Sequence, residues 1–263
     1  MKKVTLTVIL SICFAWALQA QLNVNKYDFD AFEKAPQVNF QSFRFGLQLS
    51  PTVNWMKTSD KRLESAGSNL GLKLGALAEL YFAPNYAVIT GIGFGFNQGG
   101  AIQNGYSRGV FWPNSELSVP GLDTLPQNAK LRYHLNFVEV PIGIKFRGGT
   151  GEDSQLKFFF EAPVFTLGFI TKARGDIRGV NEPTDDEDIR SDVNGLALSW
   201  GLGGGIEYEF AANATLVTGL IFQQQFTDAT SNKGTAVERA NGWAAEKSKG
   251  TINTIALRAA IFF

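Results

Sequence analysis

Three stretches carry residue types that could do chemistry. Gly201-Leu202-Gly203-Gly204-Gly205 packs glycines as closely as the loops that cradle phosphate at a helix N-terminus. His134 is the single histidine, and a hydrolase would use such a ring as general base beside Ser107, Ser115, Ser118 or Glu116. Asp185-Asp186-Glu187-Asp188, with Asp176, Glu182 and Asp192 around it, concentrates carboxylates of the kind that bind Ca²⁺.

None of the three has the spacing its chemistry requires. A phosphate loop closes a strand and opens a helix. Here Leu196, Leu198, Trp200, Leu202, Ile206, Tyr208 and Phe210 alternate with small or polar residues straight through the glycines, which is the period of a strand. Around His134 no spacing fixes a nucleophile, base and orienting group, and its parity with Val138 and Val140 turns it outward near a rim. The acidic run lacks the alternating ligands and central glycine of a calcium loop and reads as a solvated loop. The sequence therefore nominates no catalytic, cofactor-binding or metal-ligating residue, and the chain is expected not to be an enzyme.

The elements that carry these residues are strands. At the N-terminus Lys2 and Lys3 precede an apolar run from Val4 to Leu18, closed by the small Ala20. This predicts a cleaved signal peptide over 1–20, followed by a periplasmic linker over 21–41. The one cysteine, Cys13, falls inside the signal, so disulfides and cysteine-held zinc are excluded from the mature chain. Lysine plus arginine balance aspartate plus glutamate at 24 each, which gives no support to nucleic-acid binding.

From residue 42 onward, period-two alternation recurs eight times, over 42–55, 69–82, 86–97, 137–149, 156–172, 196–210, 215–226 and 251–263. Leu, Ile, Val, Phe and Trp take one face; Gly, Ser, Gln, Lys, Arg and Glu take the other. The fifth segment is apolar on both faces. Connections alternate long and short, which puts both ends of the chain on one side. A soluble barrel would turn its apolar face inward around a ligand. Here the small and charged face is too light to be the outside, so the apolar face is expected to meet lipid. The expected fold is all-β, an eight-stranded antiparallel transmembrane up-and-down barrel over 42–263 with long outer loops and short periplasmic turns. The terminal Phe263, ending the row Ile255, Leu257, Ala259 and Ile261, fits a signal for outer-membrane assembly.

An eight-stranded barrel is filled by its own inward side chains. Parity places Arg44, Lys73, Lys145, Arg147 and Arg258 inside with Glu79, Glu139, Glu161, Glu207 and Glu209. These should pair along the axis, with the glycines at 91, 93, 95, 201, 203 and 205 leaving room for the long basic arms.

The segment FVEVPIGIKFRGG (137–149) resembles a strand of the PorT-like outer-membrane β-barrel family of Bacteroidetes, with Glu139, Pro141 and Lys145 in the places of its E-x-P-x-x-x-K pattern. The signal ending Ala20–Gln21, the first strand with FGLQLSP and the segment EAPVFTLGF are similar too, so the resemblance spans the chain from about Ser42. It implies an outer-membrane barrel and, through the PorT protein, a link to type IX secretion. The expected role is structural or interactive, through the extracellular loops. A small passive channel and a lipid-modifying enzyme are the alternatives. Expected partners are outer-membrane lipid and lipopolysaccharide, the barrel assembly machinery and an unidentified envelope protein.

Overall fold

The computed structural model describes residues 43–263 apart from 120, 123, 150–153, 212 and 238–241; the expected signal peptide and linker lie outside them. Among the described residues thirteen strands follow in chain order: β1 (Phe43–Thr58), β2 (Leu63–Ala83), β3 (Tyr86–Asn104), β4 (Arg108–Val110), β5 (Leu125–Pro126), β6 (Lys130–Gly149), β7 (Leu156–Arg178), β8 (Thr184–Asp188), β9 (Leu196–Ala211), β10 (Ala214–Gln225), β11 (Thr235–Val237), β12 (Trp243–Ala245) and β13 (Gly250–Phe262). Eight of them pair antiparallel in the order β1-β2-β3-β6-β7-β9-β10-β13, and β13 returns to β1 with Gly46 opposite Phe262 and Thr58 opposite Gly250. The sheet closes, so no spanning strand presents a free edge. β8 pairs with the upper part of β7, and β12-β11-β4-β5 form a small separate sheet in the loops.

The eight expected strands are present, but several are longer than their apolar alternation. The first expected long loop is a tight turn: β1 runs to Thr58, β2 starts at Leu63, and Leu63 N–H donates to the Asp60 carbonyl at 3.1 Å. β3 continues to Asn104, β6 begins at Lys130 and β7 ends only at Arg178. The acidic segment is no simple solvated loop, because Thr184–Asp188 forms β8.

The expected parity holds through the membrane-facing belt. Phe43, Phe45, Leu47, Leu49 and Val53 on β1 are exposed while Arg44, Ser50, Thr52 and Asn54 are buried, and the pattern repeats round the wall. Such a surface belongs in lipid. At the end where β1 begins and β13 finishes, Phe82, Tyr86, Phe146 and Phe160 form a continuous aromatic rim across four strands, with centroids 6.1, 5.4 and 6.4 Å apart. The ambiguous β7 is explained by two bulges. Its register slips at Ala162-Pro163 and again at Thr171, so the inward set runs Phe159, Glu161, then Val164, Thr166, Ile170, then Ala173, Ile177.

β6 shows how the fold changes character along its length. Its odd positions face inward throughout. From Glu139 to Lys145 these are two charged residues, Glu139 and Lys145, flanking the small Pro141 and Gly143, and the even positions Val138, Val140, Ile142, Ile144 and Phe146 face lipid. That apolar row runs from Val138 to Phe146, matching the roughly 9–11 residues with which a tilted strand crosses the bilayer. Above it the chemistry inverts: Leu131, Tyr133, Leu135 and Phe137 are buried, and Lys130, Arg132, His134 and Asn136 face out. The inversion coincides with bulges in the flanking strands. Asn97 sits at a positive φ of 54° in the β3 bulge, its N–H donates to Asn136 Oδ1 at 3.1 Å, and Thr171 Oγ1 donates to the Asn136 carbonyl at 3.2 Å. Below this row the molecule is a membrane barrel; above it, a water-facing one with an apolar core.

Candidate functional site

The lumen is the first place where functional side chains converge. Near the turn end Arg44 and Glu79 lie in register on β1 and β2, while β6 and β9 bring Lys145 and Glu207 across the interior. Arg44 Nη2 is 2.6 Å from Glu79 Oε2 and 3.1 Å from Glu207 Oε2. Lys145 Nζ lies 2.5 Å from Glu79 Oε1 and also pairs with Glu207 Oε1. The charges thus alternate round a square in which each base touches both acids. Tyr81 OH donates to Glu79 Oε2 at 2.7 Å, and Arg147 Nη1 reaches Glu207 at 3.6 Å. Phe159 and Phe262 pack their ring faces at 4.7 and 5.5 Å from Lys145 Nζ. Lys145 is 0% exposed and both acids 1%.

Two further pairs stand above the quartet. Lys73 Nζ holds Glu139 at 2.8 Å and donates to Gln223 Oε1 at 2.6 Å, and Arg258 Nη1 holds Glu161 at 2.6 Å. Between these pairs lies a cavity of about 60 Å³ lined by Gln48, Ser50, Lys73, Glu139, Gln223 and Arg258. At ~10–15 Å³ per water it holds roughly four waters and no organic solute. Nine of the ten charges expected inside are thus assembled in the lumen. Glu209 is the exception: it pairs with Lys157 at 2.8 Å on the turn-end rim, half exposed.

The glycine-rich wall serves a different purpose from the one expected. A Cβ at Gly203 would overlap Cδ1 of Ile221, and one at Gly205 or Gly219 would come within 2.9 Å of the Phe159 ring. At these three glycines the wall recedes for apolar groups, and Phe159 in turn carries Lys145. Only Gly93 has a luminal acid beside it, Glu139 at 3.9 Å.

At the loop end the lumen is closed by an apolar core. Leu135, Phe137, Ile170 and Ile252 from the strands meet Trp112, Phe111, Leu125 and Ile189 from the loops. Trp112 stacks edge-on against Tyr133 at 5.5 Å and its Nε1–H donates to the Tyr133 hydroxyl at 3.0 Å. The loops are tied together by carboxylates, Asp192 and Glu187 buried and Asp228 half-buried. Asp192 accepts from Asn114 N and Nδ2 at 3.0 and 2.7 Å and from Ser115 Oγ at 2.6 Å. Glu187 accepts from the Ser118 N–H at 3.0 Å and from its hydroxyl. Asp228 accepts from Thr230 N and Gly250 N, both at 2.9 Å. Burial raises the Glu246 carboxyl above its ordinary range even though Ser248 donates to it through both its N–H and its hydroxyl. Asp60, in the β1–β2 turn, is pushed up by burial but more strongly held down by donors from Tyr106 and Arg62.

Sequence reasoning missed these staples, since a carboxylate in a polar loop gives no signal of its loop partner. Two serines considered beside His134 belong to this network, Ser115 on Asp192 and Ser118 on Glu187. His134 itself faces outward as its parity predicts, with Nδ1 2.5 Å from Asn97 Oδ1 and Nε2 3.1 Å from Asp176 Oδ2. Among the described residues no three His, Cys, Asp or Glu side chains converge as a metal site.

Several solved structures have a similar fold. A major outer membrane protein from Thermus thermophilus is 12% identical, with 85% of this chain and 100% of that one covered and a TM-score of 0.42. The outer membrane protein OprG of Pseudomonas aeruginosa is 11% identical over 85% and 97% at 0.37, and Neisserial surface protein A 10% over 83% and 95% at 0.37. No curated protein matches in sequence. Residues 19–223 match the family described as outer membrane protein beta-barrel domain. The chain belongs to that family, and its place is the outer membrane.

Proposed function

We propose that the protein is a sealed barrel that acts through the folded cap on its loop end, as a structural or interaction protein of the envelope. The observation that carries this reading is the cap itself: the long loops share a core centred on Trp112 and Tyr133 and are locked by the buried carboxylates Asp192 and Glu187. Building a rigid surface this way suits a partner that docks on it. A pore would leave its loops away from the axis and its lumen wet from end to end. In this reading both termini and the short turns are periplasmic and the cap is extracellular. The pattern Glu139, Pro141 and Lys145 supports a PorT-like place within the family and a role in secretion-related assembly. In the fold Glu139 pairs with Lys73 and Lys145 with Glu79 in the lumen, and Pro141 lines the cavity beside Glu139.

The test has two parts. Purified protein in planar bilayers should give no steady conductance, and exchange of the 105–129 loop for an unrelated one should abolish capture of envelope partners while the barrel stays folded. A stable open channel would replace this reading with that of a passive pore.

A further inference from the structure

On the outer wall, just above the lipid belt, β6 and β7 set four polar side chains in a square: Lys172 opposite Asn136 and Arg174 opposite His134. Opposed side chains on paired strands stand about 5 Å apart and successive ones on a face about 7 Å apart. Directly beneath are Val138 and Phe169, the last lipid-facing pair of these two strands. The square therefore lies at the level of lipid headgroups.

Its positive charge is only partly spent inside the protein. Lys172 is exposed and has no ion pair or hydrogen bond among the described residues. Arg174 Nη1 donates to the Asp186 carbonyl at 3.3 Å, but the guanidinium stands 3.8 and 3.7 Å from the carboxylates of Asp186 and Asp188, and its buried Nε has no hydrogen-bond acceptor among the described residues. Those two aspartates are 70% and 61% exposed and sit beside and above Arg174, on the side away from the lipid. Asp176 is already engaged, by His134 and by the Asp186 N–H at 3.1 Å. Asn97 Nδ2 donates to the Leu70 carbonyl, which leaves Oδ1 toward His134, so both ring nitrogens face acceptors. On the β3 side His134 is paired with Gly99, which offers no side chain to cover the square. The bulges at Asn97 and Thr171, both bonded to Asn136, hold this geometry in place.

We propose that this square binds a phosphate of the phosphorylated glycolipid of the outer leaflet, the lipid A portion of lipopolysaccharide. Lys172 and Arg174 hold the phosphate oxygens while Val138 and Phe169 receive the first acyl methylenes. A cationic pair directly over an apolar wall matches an anionic group carried on acyl chains. The assignment rests on the proposed orientation, with the cap extracellular, and not on what docks on the cap.

The test is native mass spectrometry of the full protein in detergent, where the direction of insertion has no influence. The probes are bis-phosphorylated lipid A, dephosphorylated lipid A, phosphatidylglycerol and inorganic phosphate. The intact protein should retain bis-phosphorylated lipid A in preference to the other three. Lys172→Ala should weaken that retention by roughly tenfold, the loss of one charge-assisted hydrogen bond. Lys57→Ala, at an exposed lysine above Trp55 on β1, should leave it unchanged. Since Lys172 has no internal partner, its variant should fold, which heat-dependent gel migration checks. Equal retention of dephosphorylated lipid A or of phosphatidylglycerol, or an equal loss in both lysine variants, would overturn the assignment.

Discussion

Replacing Lys145 by Met tests whether the luminal quartet holds the barrel together. The ammonium is fully buried and touches both Glu79 and Glu207, with Phe159 and Phe262 excluding water from it. Methionine keeps most of the volume but leaves two carboxylates sharing Arg44, with Arg147 at 3.6 Å and the Tyr81 hydroxyl as their remaining support. Breaking a buried pair from one side costs about 3–5 kcal/mol. Because Arg44 still bridges both acids, the low end applies, and about 3 kcal/mol is expected. That is a more than hundredfold drop in the folding constant at roughly 1.4 kcal/mol per factor of ten. Urea unfolding in lipid vesicles, followed by tryptophan fluorescence, reads it directly. The double change Lys145→Met with Glu79→Gln removes a charge of each sign and should cost less than the sum of the single changes. A Lys145→Met loss under about 0.5 kcal/mol, or strict additivity in the double variant, would refute the claim that the quartet is a coupled unit.

Further expectations follow from the wall, the cap and the closing strand. Gly203→Leu should destabilise the barrel by about 1–3 kcal/mol through overlap with Ile221, and Ile221→Ala should recover much of it; no rescue would mean the glycine serves something else. Phe263→Asp changes an exposed residue at the end of the lipid-facing row. It should cost the folded protein only about 0–1 kcal/mol yet sharply reduce its level in the outer membrane, whereas normal levels would remove Phe263 from any assembly signal. Burial raises the Glu246 pKa above its unfolded value, so the support of its protonated form is fully present below the unfolded pKa and is lost as pH rises through the raised one. Glu246→Gln should therefore slow proteolysis of the 226–249 loop at neutral pH, with the advantage vanishing in acid. An advantage that grows in acid would contradict the sign. Protease added to intact cells should cut within 105–129 and 230–249 and spare the turn at Pro84, and cuts at Pro84 alone would invert the orientation.

How much of this was legible in the sequence depended on which physical force wrote the pattern. Lipid on one side and packed charges on the other impose strict period two, so the inward facing of Arg44, Lys73, Lys145, Glu79 and Glu207 could be taken from parity alone. Where the backbone bulges the parity breaks. The slips at Ala162-Pro163 and Thr171 in β7 each move the inward set by one position, which is why that strand looks apolar on both faces. The partner of each glycine was not legible either, because Gly203 and Ile221 meet across a strand pair that only the register defines.

The larger miss has a single cause, visible in β6. A strand leaving the bilayer keeps its hydrogen bonds and its parity but exchanges its solvent. Lys130, Arg132 and His134 continue the face of Val138 and Val140, while Leu131, Tyr133 and Leu135 continue the face of Glu139 and Lys145. A reading that follows one chemical type along one face must end the strand where the type changes, so it stops near Phe137 and assigns the next residues to a loop. The same error shortens β1, β2, β3 and β7 at the same end. The exchange of faces within one continuous strand is thus itself a measurement: it marks the level at which the surroundings of the wall pass from lipid to water. It does so at the row of Asn97, Asn136 and Thr171, where the bulges gather. Above that level the charged quartet has no counterpart, because a water-facing barrel is stabilised by burying Leu131, Leu135 and Ile177, each contributing about 1.5–3 kcal/mol, and needs no ion pairs inside. The lumen is closed twice, by charge where the outside is lipid and by hydrocarbon where the outside is water.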